Sequence, residues 1–318
     1  MIKAGAAWLF FLVLNCAGQS SANFKEELRS ASKATGLALV LPGTGNRLLV
    51  FPFDGKPQSL EPPPGRSLHV TVGKGGKMIL WWGQPLLGQI MAGQSPTPDG
   101  VVTDVDGRRV IEFKIPSRVL RFSPEALSEV SRRLAFEGTV VERGVPTTGS
   151  YWGTLDFSTI GFMAPIDGPS SFDWSPDGRY LAFDRKHQIY VFDTETGKTS
   201  SVVAGSDPSW SPEGRGIAFL ASDNRASFTT KEGAPLSWSL SGYKPNGPIR
   251  WSPDGKYVAF SQPVPNDSPL GISNRTTVVR VTDGAAMTAA EFGPFWPNYT
   301  GYRWILGYRT FCPECKPK

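Results

Sequence analysis

Two cysteines near the C-terminus are the residues whose type and spacing most directly suggest chemistry. Cys312 and Cys315 stand in the segment CPEC. A C-x-x-C pair can be a redox couple, half of a zinc site or a small structural disulfide. A zinc site needs about two further ligands, and the only histidines, His69 and His187, are distant in sequence. In an oxidising compartment a disulfide is the simplest outcome.

Other arrangements of catalytic residues have little support in the sequence. There is no G-x-S-x-G segment, and a Ser-His-Asp set could form only through His69 or His187. His187 lies in the polar segment RKHQ, which is typical of a turn between strands. Asp104 and Asp106 lie in a hairpin whose turn is at Asp106-Gly107, but the other oxygen ligands of a calcium loop are missing. No glycine-rich phosphate loop is present, and we predict no cofactor, no metal and no catalytic residues.

Three acidic residues recur in the same local context, namely Asp177, Glu213 and Asp254. If their segments are equivalent units of a ring-shaped fold, the three acids stand on one rim of that ring. There they could bind a basic partner or a metal. The local interpretation is that each acid accepts hydrogen bonds from the backbone N–H groups of its own turn. The identical context favours this structural role.

That context is a repeated segment, W-S-P-D/E-G followed by an apolar run, which begins at positions 174, 210 and 251. A period near ~40 residues with several short strands per unit is typical of propeller blades. The repeat positions are Trp174, Pro176, Asp177, Gly178, Trp210, Pro212, Glu213, Gly214, Trp251, Pro253, Asp254 and Gly255.

The first copy can be interpreted strand by strand. Pro, Asp and Gly after the tryptophan are typical of a tight turn. Tyr180–Phe183 and Ile189–Phe192 are short β-type runs, and the segment DTETGK is a hairpin connection. We therefore predict a blade of about four strands whose apolar faces need neighbours on both sides.

The pattern W-S-P-D/E-G-x-x-[LIV]-A-F resembles the WD-like repeat of TolB-type β-propellers. The three clear copies cover roughly residues 171–262, under a third of the chain. Within that family a propeller is joined to an N-terminal α/β domain and works as a periplasmic binding protein. The resemblance implies a blade architecture and says little about function. This chain has little room for the additional domain.

The remainder of the chain contains degenerate copies. They include residues 39–51, residues 70–82, a copy at Phe122 whose turn is expanded by a predicted helical turn over Pro124–Val130, and a copy at Trp296 with Trp304–Leu306 as its strand. We predict an all-β, six-bladed propeller over residues 37–310, with a terminal strand helping to close the ring. A helical arm over residues 23–36 precedes it and a CxxC tail over residues 311–318 follows. A rival architecture is a separate β-domain over residues 37–150 followed by an incomplete set of blades.

The N-terminus predicts export. Lys3 precedes the apolar run Ala6–Leu14, which is too short to span a membrane, and small residues follow it. We predict a signal peptide over residues 1–22 and a periplasmic or extracellular location. An alternative is a lipoprotein signal acylated at Cys16, although Asn15 departs from the usual small residue. Membrane attachment is expected only in that case.

The repeat, the signal sequence and the lack of a catalytic set favour a protein-binding module. A net charge of +5 without a long basic run does not indicate nucleic-acid binding. We predict a protein-binding or scaffold role in the cell envelope with an envelope protein as partner, and the loops 92–100 and 262–270 as contact segments. The alternative is a propeller hydrolase or lyase, metal-dependent or not, with its site in the central channel. A further alternative is a subunit whose partner chain carries the catalysis.

Overall fold

The computed structural model describes residues 23–42, 47–53, 57–62, 69–83, 100–165, 171–240, 242–265, 272–288 and 303–305. Within these ranges the chain forms 23 strands and one helix at residues 23–35. The predicted all-β class and short N-terminal helix are confirmed. No helix in these ranges has the length and apolar character needed to cross a bilayer. Cys16, Cys312, Cys315 and most of the loops 92–100 and 262–270 lie outside the described residues.

The strands form six antiparallel sheets, each one blade of a propeller. Blade 1 contains β1 (Ala38–Pro42), β2 (Leu48–Pro52) and β3 (Gln58–Leu60). Blade 2 contains β4 (His69–Val72), β5 (Met78–Trp82), β6 (Gly100–Asp104) and β7 (Arg109–Phe113). Blade 3 contains β8 (Val119–Ser128), β9 (Arg133–Glu142), β10 (Val145–Thr154) and β11 (Ile160–Pro165).

The second half of the ring contains the clear repeats. Blade 4 contains β12 (Phe172–Trp174), β13 (Tyr180–Arg185), β14 (Gln188–Asp193) and β15 (Lys198–Ala204). Blade 5 contains three strands in the described residues, β16 (Ser206–Trp210), β17 (Ile217–Leu220) and β18 (Ala226–Thr229). Blade 6 contains β19 (Arg250–Trp251), β20 (Tyr257–Pro265), β21 (Ile272–Arg280) and β22 (Ala286–Thr288).

A terminal strand closes the ring, as predicted. β23 (Arg303–Ile305) joins blade 1 by pairing antiparallel with β1. The innermost strands then contact one another in the cyclic order β4, β8, β12, β16, β19 and β23, and β23 returns to β4. The blade count of six is confirmed, and the rival of a separate domain over residues 37–150 is wrong, because those residues form blades of the same ring.

The repeated turn has the same geometry in all three clear copies. The N–H of the glycine donates to the carbonyl of the serine three residues earlier at 2.9 Å in each case. The glycine φ values are +70° at Gly178, +72° at Gly214 and +72° at Gly255, a left-handed conformation that glycine adopts without steric cost. Asp177 and Asp254 each accept hydrogen bonds from the serine hydroxyl and from a backbone N–H of their own turn.

Two details of the degenerate half differ from prediction. Pro124–Val130 does not form a helical turn, because residues up to Ser128 belong to β8, where Phe122, Pro124 and Ala126 are buried at the period of a strand. The segment 39–51 does not begin with the inner strand of its blade, as the repeat does. Its strands are the second and third of blade 1, and the inner strand is β23, so Trp304 lies in an inner strand.

The N-terminal helix packs on the seam between blades 1 and 6. Phe24 and Leu28 are fully buried in one cluster with Tyr257 and Trp304. Glu27 accepts a hydrogen bond from the hydroxyl of Tyr257 at 2.7 Å and forms an ion pair with Arg280. The helical arm therefore covers the seam where the two ends of the propeller meet.

Candidate functional site on the ring axis

The inner strands of all six blades enclose one cavity. Because every blade contributes to its wall, the cavity lies on the axis of the ring. The lining residues are Val72, Gly73, Lys74, Glu125, Ala126, Leu127, Phe172, Asp173, Ser209, Arg250, Trp251, Arg303 and Trp304. Its polar and charged groups make it the candidate site.

Four of these residues share one position in the repeat. Asp173, Ser209, Arg250 and Arg303 each directly precede a tryptophan of the inner strand, which ends the strand in blades 4, 5 and 6 and is its middle residue in blade 1. The tryptophan packs between blades, and the residue before it reaches the axis. Sequence reasoning missed these residues. The available signal was that this position changes from Asp to Ser to Arg between the clear copies while the tryptophan stays the same.

Lys74 spans the axis from blade 2. Its Nζ donates to Asp173 Oδ2 in blade 4 at 2.5 Å and to the carbonyl oxygen of Trp210 in blade 5 at 2.6 Å. Asp173 Oδ2 also accepts from the backbone N–H of Trp210 at 2.7 Å and from the hydroxyl of Ser209 at 3.3 Å. Blades 2 and 5 are opposite each other in a ring of six. Lys74 therefore links opposite sides of the channel through a charged, hydrogen-bonded cluster.

The loop that carries Lys74 is held by blade 3. The backbone N–H of Lys74 donates to the carbonyl of Leu127 at 2.9 Å. Glu129 Oε1 accepts from the backbone N–H groups of Lys77 and Met78, both at 2.8 Å. A Cβ atom on Gly73 would lie 2.4 Å from that oxygen, so the glycine makes room for the carboxylate. The position of Lys74 is thus set by backbone contacts of its own loop.

Burial dominates the electrostatics of the cavity. It lowers the pKa of Lys74, against the opposing attraction of Asp173. Burial also lowers the pKa of Arg250, and it lowers that of Arg303 to about 9 with a further contribution from the charge of Arg250. Burial raises the pKa of Glu125, although a hydrogen bond from Ser123 favours its ionised form. The lining therefore brings three cationic side chains and two carboxylates into a poorly solvated space.

The cavity is small. The space open to the centres of water molecules is about 50 Å³, and one water needs roughly 10–15 Å³ on this measure. It can hold a few waters or one small polar group, but not a sugar ring. Arg250 and Arg303 are partly exposed, so a small polar group can reach them from solvent.

The residues considered from sequence lie elsewhere. His187 occupies an exposed turn with φ +57°, and His69 begins β4. Asp104 accepts from the backbone N–H groups of Asp106 at 3.0 Å and Arg108 at 2.8 Å, which makes it a turn residue. The ranges given above for the structure contain no group of three or more His, Cys, Asp or Glu side chains arranged to hold a metal ion.

Comparison with solved structures identifies the fold. TolB from Acinetobacter baumannii matches with a TM-score of 0.50 at 19% identity, over 85% of this chain and 66% of that chain. The chain has the propeller fold of TolB. It spans just under two thirds of the length of that protein.

Two further structures match at lower TM-scores. A putative TolB from Agrobacterium tumefaciens matches at 0.48 and 16% identity, over 80% of this chain and 88% of that chain. A gluconolactonase from Xanthomonas campestris matches at 0.46 and 14% identity, over 70% of this chain and 78% of that chain. No family model and no curated protein matches the sequence.

Proposed function

We propose that this protein is an exported propeller that binds another protein in the cell envelope. The predicted signal peptide supports export to the periplasm or the exterior, and the shared fold with TolB is compatible with that location. The observation that carries the proposal is that, among the residues the structure describes, the exposed large apolar side chains all lie in one sector of the ring.

These side chains belong to blades 2 and 3. In the described residues the exposed large hydrophobic side chains are Val110, Leu120, Val130, Val145 and Phe162. Single exposed apolar residues are normal on a protein surface. Their restriction to two neighbouring blades of six is the asymmetry expected of a docking face, because the repeated blades otherwise present similar surfaces.

Blade 3 gives this face its shape. Its strands β8, β9 and β10 are ten residues long, whereas those of blade 4 have three to seven. The hairpin of β9 and β10 turns at Arg143-Gly144, and Val145 directly after the turn is 62% exposed. Leu120 near the start of β8 is 65% exposed at the same end of the sheet. A projecting end of the sheet with apolar side chains is suited to contact a partner protein.

Site-specific crosslinking in cells tests the proposal. A photoreactive amino acid is placed at Leu120 or Val145, with Lys198 and Ser200 on the exposed strand β15 of blade 4 as matched controls. We expect one or two envelope proteins to crosslink at the blade 3 positions and not at the controls. Equal capture at all four positions, or none at any, would contradict the proposal, as would recovery of the protein in the cytoplasm.

A second candidate function is catalysis in the channel. The supporting observation is Lys74, whose pKa burial lowers and whose Nζ lies 2.5 Å from the carboxylate of Asp173. Perturbed ionisable groups in a cavity are frequent at active sites, and a lysine of lowered pKa can act as a general base. Turnover of an ester or lactone panel by the purified protein, abolished in Lys74→Met, would favour the enzyme. Activity that survives this substitution would show that Lys74 is not its general base.

A further inference from the structure

Two arginines on neighbouring blades line the axial cavity. Arg250 belongs to β19 in blade 6 and Arg303 to β23 in blade 1, and these inner strands contact each other. Both occupy the position before a buried tryptophan. The two arginines therefore line the same cavity from neighbouring blades, and the charge of Arg250 acts on Arg303.

Arg250 has unused hydrogen-bonding capacity. Its Nε is buried and has no hydrogen-bond partner within the described part of the chain. A guanidinium carries five N–H donors in a planar fork and stays charged in proteins. A buried donor of a charged group without an acceptor is costly, so natural structures supply one from protein, water or ligand.

The neighbouring carboxylates have other partners. Asp173 receives three hydrogen bonds on Oδ2, from Lys74, Trp210 and Ser209. Glu125 accepts from the hydroxyl of Ser123 at 3.1 Å. Asp207 is outside the lining, and its charge acts on both arginines. An external acceptor can therefore still add hydrogen bonds at Arg250.

We propose that the axial cavity binds a carboxylate group between Arg250 of blade 6 and Arg303 of blade 1. Guanidinium and carboxylate are planar and form paired N–H···O bonds. The small cavity admits a carboxylate, and the nearby Asp173 and Glu125 favour a singly charged anion over a doubly charged phosphate. This inference deepens the proposed function. The carboxylate belongs either to an acidic side chain or chain end of the partner protein, or to a small free acid.

Acetate is the probe for the site itself. The full-length exported protein is titrated with sodium acetate against sodium chloride at constant ionic strength, with thermal stability and acetate NMR line width as readouts. We expect saturable binding by the wild type and an affinity loss of about tenfold or more in Arg250→Gln, since a charged hydrogen bond is lost. Arg250→Lys, which keeps the charge without the fork, retains part of the binding. Arg108→Gln, on an exposed turn, is the matched control and binds as the wild type does.

No saturable response of the wild type to acetate, or equal binding by Arg250→Gln, overturns the proposal. The crosslinking experiment at Leu120 then separates the two sources. If Arg250→Gln loses acetate binding and also the crosslinked partner, the partner supplies the carboxylate. If it loses acetate binding alone, the ligand is a small acid. Acetate binding without any crosslinks would reject the proposed protein-binding function and leave the carboxylate site intact.

Discussion

Lys74 shows at the scale of one residue why a buried charge is kept in this ring. Its side chain is 14% exposed, as is that of Asp173. Removing either partner alone would leave the other charge poorly solvated, which typically costs about 3–5 kcal/mol. Two of the three ammonium donors are used by blades 4 and 5. The lysine therefore joins blade 2 to blades 4 and 5 across the channel.

Glu129 is expected to make the stability of the ring depend on pH. Burial raises its pKa, so between the unfolded-state pKa and the folded-state pKa the native protein binds more protons than the unfolded chain. Stability is then highest below the unfolded value and falls as pH rises through the folded value. The pKa values of Glu125, Glu137 and Asp184 are raised by burial too. We predict that the melting temperature rises when pH is lowered from 7 to 5.

The substitution Glu129→Gln tests this assignment. Gln keeps the oxygen that accepts from the N–H groups of Lys77 and Met78, but it cannot ionise. We expect a smaller change of melting temperature between pH 5 and 7, with the remaining change due to the other buried acids. Glu112→Gln on the exposed surface of β7 is the control. An unchanged slope in Glu129→Gln would show that its carboxylate does not titrate in this range.

At the scale of the element, the repeated turn provides its own controls. All three glycines have a left-handed φ near +70°, so alanine should cost about 1 kcal/mol at each for backbone strain alone. The surroundings differ. An added Cβ at Gly178 would lie 2.4 Å from Ser131 Oγ and 2.5 Å from Ser128 Oγ, whereas the nearest atom is 3.4 Å away at Gly214 and 3.6 Å at Gly255.

We therefore predict that Gly178→Ala destabilises the protein by about 1–3 kcal/mol more than Gly214→Ala or Gly255→Ala, since overpacking adds to the strain. Chemical denaturation of the three variants measures the difference. Three equal losses would mean that the two serines of blade 3 move aside at no cost. A larger loss at Gly214 or Gly255 would contradict the turn packing described here.

Prediction from sequence succeeded where one element carries its own pattern and failed where distant elements meet. The turn after Trp174 and the strands that follow it are local, so their residues predict blade 4 directly. β23 is three residues long and pairs with a strand at the other end of the chain, so no local period marks it as an inner strand. Lys74 contacts Asp173 and Trp210, 99 and 136 positions away. That contact depends on how the ring closes.

At the scale of the whole molecule, the pairing of β23 with β1 inside blade 1, next to blade 6, is the place where the ring should open first. β23 and β1 are paired over three residues, and they come from opposite ends of the propeller, so no hairpin joins them. Trp304 reinforces the seam. Its ring lies 5.8 Å from that of Phe53 and 6.3 Å from that of Tyr257, and its Nε1 donates to the carbonyl of Arg250 at 2.8 Å.

Trp304→Ala is therefore expected to lower the stability of the protein by about 3–5 kcal/mol and to speed hydrogen exchange chiefly in blades 1 and 6. Trp152→Ala in blade 3 is the matched control, because Trp152 is partly buried beside Arg133 and lies far from the seam. Faster exchange spread evenly over all six blades of Trp304→Ala would instead mean that the ring opens as one unit. The proposed carboxylate site lies beside this pairing, since Arg303 belongs to β23 and Arg250 to the neighbouring inner strand β19. A ligand that binds only the closed ring stabilises it, so acetate should slow exchange in blades 1 and 6 of the wild type and should have no such effect in Arg250→Gln.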